Sequence, residues 1–429
     1  MNVARRMTIR AAAVCACALV VLWPVRPAYA GELRAGAARI EITPGAGEAL
    51  PLAGYGSRVD PHKGVHDPLY VRALVVDDGE RQGAVISCDV LSITEQMWQR
   101  SSARLARETG IAAELALIAA THTHGAPSSR RVKPEFEERA ARWTERVEDA
   151  IFQAVRQAKS ALQPARFGVA KGKAFVNTNR RARMADGGWG LGINLEGPSD
   201  RTLAVVKFET PAGEPIAILM NYPVHGTVMG PRNYQITGDL PGATARYVER
   251  HFGDKMVALW TSGASGDQNP IYATQDNFER VDALARILGE ETVSLASRVR
   301  TSPRVRISGA QRVVTCPGQK RADESTPPRP PIRFVDADPV AIRVSLLRIG
   351  HLALAGVSGE VLTMIGERLK AESPFSNTYM VTHANGAVGY IPDDAAYDQV
   401  SYEIWVSPIK RGCAENAIVG ALLDMMDQH

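Results

Sequence analysis

The sequence predicts an α/β protein: one large catalytic domain whose mixed sheets lie between helices. Two observations lead there. Short apolar runs and amphipathic stretches interleave along the whole chain instead of separating into a strand half and a helix half. Hydrophobic residues make up 45% of the 429, enough for a full core. No internal repeat and no low-complexity tract is visible in the residues.

Taken in order, residues 1–30 read as a signal peptide. Arg5, Arg6 and Arg10 precede an apolar run over 11–23, and Ala28-Tyr29-Ala30 forms a small-residue cleavage site before Gly31. Thr8 stands where an apolar residue usually follows a twin-arginine pair, so the general secretory route is preferred. The mature chain, 31–429, is expected to be periplasmic or secreted. No later stretch approaches the length of uninterrupted apolar sequence that a membrane span needs.

Strands are predicted at 72–77, 84–88, 115–120, 203–209, 215–220, 256–260, 305–314, 341–349, 351–357 and 378–382. Helices are predicted at 95–109, 134–159, 240–252, 276–300, 360–372 and 414–426. The glycine-rich 187–192 and the proline-rich 317–331 read as surface loops.

Lysine plus arginine number 50 against 46 acidic residues, and Arg5, Arg6, Arg10 and Arg26 leave with the signal, so the mature chain is close to neutral. With no basic stripe interleaved with aromatics, nucleic acid is not expected as a partner. Cys15 and Cys17 leave as well. Cys88 ends the apolar run Ala84-Val85-Ile86-Ser87-Cys88 and reads as a small buried hydrophobe, which leaves Cys316 and Cys413 to pair in an oxidising compartment.

Four predicted strands run into polar clusters. Residues 115–120 lead into Thr121-His122-Thr123-His124, and 215–220 into Asn221-Tyr222-Pro223-Val224-His225. Residues 256–260 lead into a loop that ends Gly266-Asp267-Gln268-Asn269, and 351–357 into Ser358-Gly359-Glu360. On an extended chain His122 and His124 share a face. Ligands bind at the carboxyl ends of strands in α/β sheets, so these tips can converge on one cleft. Two histidines and a glutamate then offer a metal triad with a fourth position left for water. Each also has a bland explanation: His225 as a hydrogen-bonded loop histidine, Glu360 as an acid at a helix N-terminus, Gly266-Asp267 as a turn.

With those residues in place, the sequence resembles the neutral, non-lysosomal ceramidases and their bacterial relatives. The matching stretches include Ala38-Arg39-Ile40-Glu41-Ile42-Thr43-Pro44-Gly45, Ala120-Thr121-His122-Thr123-His124, Asn177-Thr178-Asn179-Arg180 and Val224-His225-Gly226-Thr227. Thr237-Gly238-Asp239, Gly266-Asp267, Gly359-Glu360, Gly389-Tyr390 and Tyr402-Glu403 continue them in family order. The resemblance implies a catalytic α/β domain with one Zn2+ held by His122, His225, Glu360 and Tyr390, and a site lined by His124, Arg180 and Tyr402. It implies hydrolysis of the amide bond of an N-acyl substrate, ceramide or a related lipid or amine. In that chemistry His124 is the acid/base, while Arg180, Tyr402 and the metal stabilise the oxyanion.

Two departures from the family pattern stand out. Asn269 occupies the position where family members carry a serine two residues after the Gly-Asp turn; it removes a serine nucleophile there and retains a hydrogen-bond donor for substrate or oxyanion. The chain is also expected to lack the C-terminal immunoglobulin-like domain of well-known ceramidases. A non-ceramide amidase or esterase, or a binding relative on the same metal scaffold, is the alternative. A serine hydrolase is disfavoured because Gly263-Ala264-Ser265-Gly266-Asp267 and Gly356-Val357-Ser358-Gly359-Glu360 both miss the last glycine of the nucleophile elbow.

Overall fold

Among the described residues, three sheets of four or five strands carry the fold, and each is assembled in the same order. In the first, Arg34–Glu41, Tyr70–Asp77 and Gln82–Cys88 pair antiparallel, and Ala116–Ala120 joins Gln82–Cys88 in parallel. In the second, Arg166–Lys173, Thr202–Glu209 and Pro215–Tyr222 are followed by the parallel strand Val257–Ser262. In the third, Ile307–Arg321, Phe334–Ile349 and Leu352–Val357 are followed by the parallel strand Asn377–Val381. A parallel neighbour requires a crossover. Helices Glu95–Thr109, Asp239–His251 and Thr363–Glu372 supply one in each unit, and Glu137–Ser160, Phe278–Arg298 and Ala414–Gln428 follow the parallel strands. This computed structural model describes residues 32–45, 47–129, 132–323 and 332–428, so the signal-peptide reading of 1–30 lies outside the described residues.

The threefold recurrence of one topology is a correction to the sequence reading, which found no repeat. Pairing and crossover demand apolar faces at the right period and a helix of sufficient length, and many residue choices satisfy both. The tyrosine, histidine and glycine identities that a repeat search would detect are therefore free to diverge.

Both faces of these sheets are buried, which is why their strands read as near-continuous apolar runs. Inward residues of all three sheets share one core: Leu74 and Leu117 from the first, Val206 and Leu219 from the second, Leu347 and Leu354 from the third. Outward residues meet the helices. Val71, Val75 and Ile86 pack with Trp143, Val147 and Ile151; Ile218 and Trp260 with Leu240, Val248 and Leu284; Ala353 and Met380 with Ile365, Leu369 and Ile418. The expected mixed sheets between helices are present. Among the described residues, no helix is long and apolar enough to cross a membrane.

Local signals account for most element ends. Thr94 accepts a hydrogen bond from Met97 N to cap Glu95–Thr109, and Gly110 closes that helix at φ 74°. Three expectations fail. Residues 189–192 were expected in a loop, but Trp189–Asn194 is a strand paired with Asn177–Arg183, its period of two masked by intervening glycines. Residues 317–321 belong to Ile307–Arg321, where a register shift between Cys316 and Gly318 accommodates Pro317. Beyond them, 324–331 lie outside the described residues. The third failure is Glu360, expected to open a helix: Glu360–Val361 is instead a two-residue strand parallel to Tyr390–Ile391, and the helix starts at Thr363.

Cys316 and Cys413 form a disulfide with Cα atoms 5.7 Å apart, and Cys88 is free and buried. The bridge spans 97 residues and ties the third sheet to the final helix. Replacing both cysteines by alanine is expected to lower unfolding free energy by about 2–5 kcal/mol. An unchanged urea midpoint would show that the bridge contributes nothing.

Candidate metal centre

The carboxyl ends of the three parallel strands meet. Ala120 N–H donates to His383 O at 3.1 Å, Thr382 N–H donates to Ser262 O at 2.9 Å, and Thr123 bridges to Gly226. His122 lies two residues beyond Ala116–Ala120; His225 and Glu360 each lie three residues beyond Pro215–Tyr222 and Leu352–Val357. All three sheets therefore contribute to one cluster.

His122 is not on an extended chain. Its φ is 61°, so the backbone turns there, and the His122 and His124 rings stand 5.0 Å apart at 86°. Proximity of the pair comes from this turn and not from strand alternation. His122 Nδ1 lies 2.7 Å from Leu91 O, and His225 Nδ1 lies 2.8 Å from Ser265 O. A carbonyl only accepts, so Nδ1 carries the proton in both and Nε2 keeps its lone pair. Glu360 Oε2 is 3.5 Å from His122 Nε2 and 3.4 Å from His225 Nε2. Donors about 2.0–2.1 Å from a tetrahedral zinc stand roughly 3.4 Å from one another. His122 Nε2 and Glu360 Oε2 are buried without a hydrogen-bond partner, the condition of ligand atoms waiting for an ion.

Electrostatics suit coordination. Burial pushes His122, and more strongly His124, His225 and His383, below the usual histidine range, so each imidazole is neutral near pH 7, the form that binds metal. Burial alone would raise the Glu360 carboxyl. His122, His383, Tyr390 and Arg180 outweigh it and hold the group below the ordinary carboxylate range. Tyr390 is pushed well above the usual phenol value by burial, against the pull of Arg180.

Arg180 organises the other wall. It is buried; Nε donates to Glu403 Oε1 at 2.7 Å and Nη2 to Tyr390 Oη at 2.9 Å. Nη1 lies 3.1 Å from His225 Nε2 and 3.3 Å from Asn269 Oδ1. Tyr390 Oη is 3.5 Å from His225 Nε2, so a fourth oxygen donor stands beside the triad. The Tyr402 ring lies edge-on to Tyr390 at 5.5 Å and under the Arg180 guanidinium at 5.8 Å. His124 faces the cluster through its ring, 6.0 Å from that of His225, and neither ring nitrogen has a hydrogen-bond partner. Every site residue expected from sequence is thus within one cluster: His122, His124, Arg180, His225, Asn269, Glu360, Tyr390 and Tyr402.

Gly266-Asp267 plays a supporting part. A Cβ on Gly266 would stand 2.7 Å from Glu360 O, so only glycine lets this loop close on the Glu360 backbone. Asp267 then accepts from Thr363 N at 3.0 Å and Thr363 Oγ1 at 2.6 Å, fixing the turn after Glu360. Neither serine hydroxyl of the two elbow-like stretches is engaged by a histidine: Ser265 Oγ is buried without a partner, and Ser358 Oγ accepts from Arg343 N. Sequence reasoning missed two residues, Glu403 as the counter-ion of Arg180 and His383. His383 stacks on His122 with centroids 3.8 Å apart. Its signal was visible, since Thr382-His383 ends a predicted strand as Thr121-His122 does.

Known proteins with similar sequences and folds point in one direction. The family model for neutral/alkaline non-lysosomal ceramidase, N-terminal, matches residues 33–281, which include His122, His124, Arg180, His225 and Asn269. The chain is 26% identical over 264 residues to a neutral ceramidase of Pseudomonas aeruginosa, covering 57% of this chain and 38% of that protein. It is 25% identical over 244 residues to neutral ceramidase A of Dictyostelium discoideum, covering 53% of this chain and 34% of that protein. The matched stretch thus spans well under half the length of either relative. The fold matches the crystal structure of the Pseudomonas aeruginosa neutral ceramidase with TM-score 0.77 at 19% identity, over 92% of this chain and 74% of that one. It matches a ceramidase complexed with C2 equally well, at TM-score 0.77 and 18% identity. At 92% of the chain, the likeness of fold extends past residue 281. With more than half of its length matched by the family model, the chain belongs to the neutral/alkaline non-lysosomal ceramidase family.

Proposed function

We propose that the chain is a zinc-dependent hydrolase that cleaves the amide bond of an N-acyl substrate, ceramide or a related N-acyl lipid or amine. The observation that carries this reading is the approach of Glu360 Oε2 to both His122 Nε2, at 3.5 Å, and His225 Nε2, at 3.4 Å, with Tyr390 and Arg180 against them. His122, His225, Glu360 and Tyr390 would hold one zinc ion. Such an ion supplies Lewis acidity and lowers the pKa of water to about 7, giving a nucleophile at neutral pH. The chain's own groups do the rest. Arg180, already neutralised by Glu403, presents Nη1 and Nη2 as fixed donors to a developing oxyanion, with the Tyr402 ring and the Asn269 amide beside them. A neutral His124 takes the proton given up by the attacking water and delivers it to the departing nitrogen.

Export fits the same picture. Residues 1–30 have the pattern of a signal, and a disulfide between Cys316 and Cys413 belongs in an oxidising compartment. Asn269 favours one second reading, a relative whose preferred substrate is another amide or an ester, because the serine of other family members is replaced. The decisive experiment measures zinc content of purified protein and product release from N-acyl sphingosines, N-acyl amino acids and esters. Zinc near one equivalent with fatty acid released from the amides supports the proposal. Full activity in metal-free protein refutes it, and turnover of esters alone transfers support to the second reading.

His124 has a dedicated clamp, which gives a sensitive test of its part. Tyr55 stands edge-on to it at 4.9 Å, Arg58 donates to its carbonyl, and a Cβ on Gly54 would fall 2.2 Å from His124 Nδ1. Gly54 also has φ 90°. Gly54→Ala is expected to push the imidazole aside and lower kcat by up to about a hundredfold with metal still bound. A variant with wild-type kcat would remove His124 from the reaction.

A further inference from the structure

His383 is the counterpart, in the third unit of the fold, of His122 in the first. Thr382-His383 follows the parallel strand Asn377–Val381 as Thr121-His122 follows Ala116–Ala120, and both histidines have positive φ, 56° and 61°. The backbone holds His383 firmly: its N–H donates to Gly359 O at 3.0 Å and its carbonyl accepts from Ala120 N at 3.1 Å. It is buried, and its Nε2 has no hydrogen-bond partner. Together with His122 and Glu360 it offers donor atoms that all lie within 4.8 Å of one another.

That donor does not fit the ion already assigned. An imidazole coordinates through a lone pair in the plane of its ring. The His225 plane crosses that of His122 at 76°, so their lone pairs can converge on one point. The His383 plane is parallel to that of His122 within 11°, at 3.8 Å between centroids, so no position near the rings lies in both planes. His383 is surplus to a sphere built on His122, while Glu360 is within reach of both rings and has two carboxylate oxygens to share.

From this geometry we propose that the centre accepts a second divalent cation, held by His383 Nε2 and the Glu360 carboxylate, beside the ion held by His122 and His225. Carboxylate sharing is how paired metal sites keep two cations close. Two protein donors bind less tightly than four, so this position fills second. A borderline cation such as Zn2+ or Co2+ suits the nitrogen and oxygen pair. The inference rests on the metal reading above.

The test is equilibrium dialysis of the metal-free full-length chain against rising Co2+, with cobalt per chain counted by mass spectrometry. Two equivalents are expected in the wild type, the second at higher free cobalt, and one in His383→Asn, a residue that tolerates positive φ. A wild type that saturates at one equivalent overturns the second position and leaves the first intact. No bound cobalt overturns both, and two equivalents retained in His383→Asn removes His383 from the site. Should that variant fold poorly, the wild type alone decides through its Co2+ magnetic resonance signal. Loss of intensity on the second equivalent shows two coupled ions; a signal that grows to saturation at one equivalent shows a single site.

Discussion

Glu360→Gln is expected to leave the protein folded, without tightly held metal and with activity lowered by more than about a hundredfold. The substitution keeps the shape of the side chain and removes its charge. In the wild type that charge lies in a buried cluster, and Oε2, at 3.5 and 3.4 Å from two imidazole nitrogens, has no hydrogen bond of its own. The neighbours of Glu360 nevertheless hold its carboxyl below the ordinary range, so the fold favours the ionised form. The metal-free variant should therefore melt no higher than metal-free wild type, and zinc should raise the melting temperature of the wild type only. A glutamine variant that retained both zinc and amide hydrolysis would sink the assignment of Glu360 as ligand.

Arg180→Met should cost both stability and rate. The guanidinium is the partner of Glu403, which is fully buried, at 2.7 Å. Removing one member of a buried pair leaves the other charged in the interior, at about 3–5 kcal/mol. The lower end is expected, since Glu403 Oε2 keeps Ser401 Oγ at 2.6 Å and Arg181 Nε at 3.7 Å. Activity should fall by about a hundred- to a thousandfold as an oxyanion donor disappears. The two losses separate in a second variant: Arg180→Met with Glu403→Gln removes the stranded charge and should recover part of the stability but none of the rate. Urea denaturation and single-turnover kinetics on the three proteins decide it. If the single variant is as stable as wild type, the Arg180–Glu403 pair does not hold this wall.

How far the site was legible from residues depended on the kind of signal. His122 and His225 each end an apolar run, and the run locates the strand tip without any knowledge of pairing. Glu360 was placed at the right tip but in the wrong element, because Glu360-Val361-Leu362 has no residue that forbids helix and only its pairing with Tyr390–Ile391 makes it strand. Glu403 was invisible as a counter-ion: it lies 223 residues from Arg180, and nothing local distinguishes a buried glutamate from a solvated one.

Composition, the period of apolar residues and the strand-end clusters determined, from the sequence alone, an α/β fold, most of its helices, the Cys316–Cys413 pair and the strand-tip candidates His122, His225 and Glu360, while the family resemblance supplied the other candidates. These are local properties, set by which residues favour burial, turns or helix. Only the tertiary structure decided that one topology recurs in three sheets, that their parallel strands meet at Ala120, Ser262 and His383, and that His383 stacks on His122. Those facts depend on contacts between residues hundreds of positions apart. They are set by how sheet faces share a core, which no stretch of residues encodes by itself.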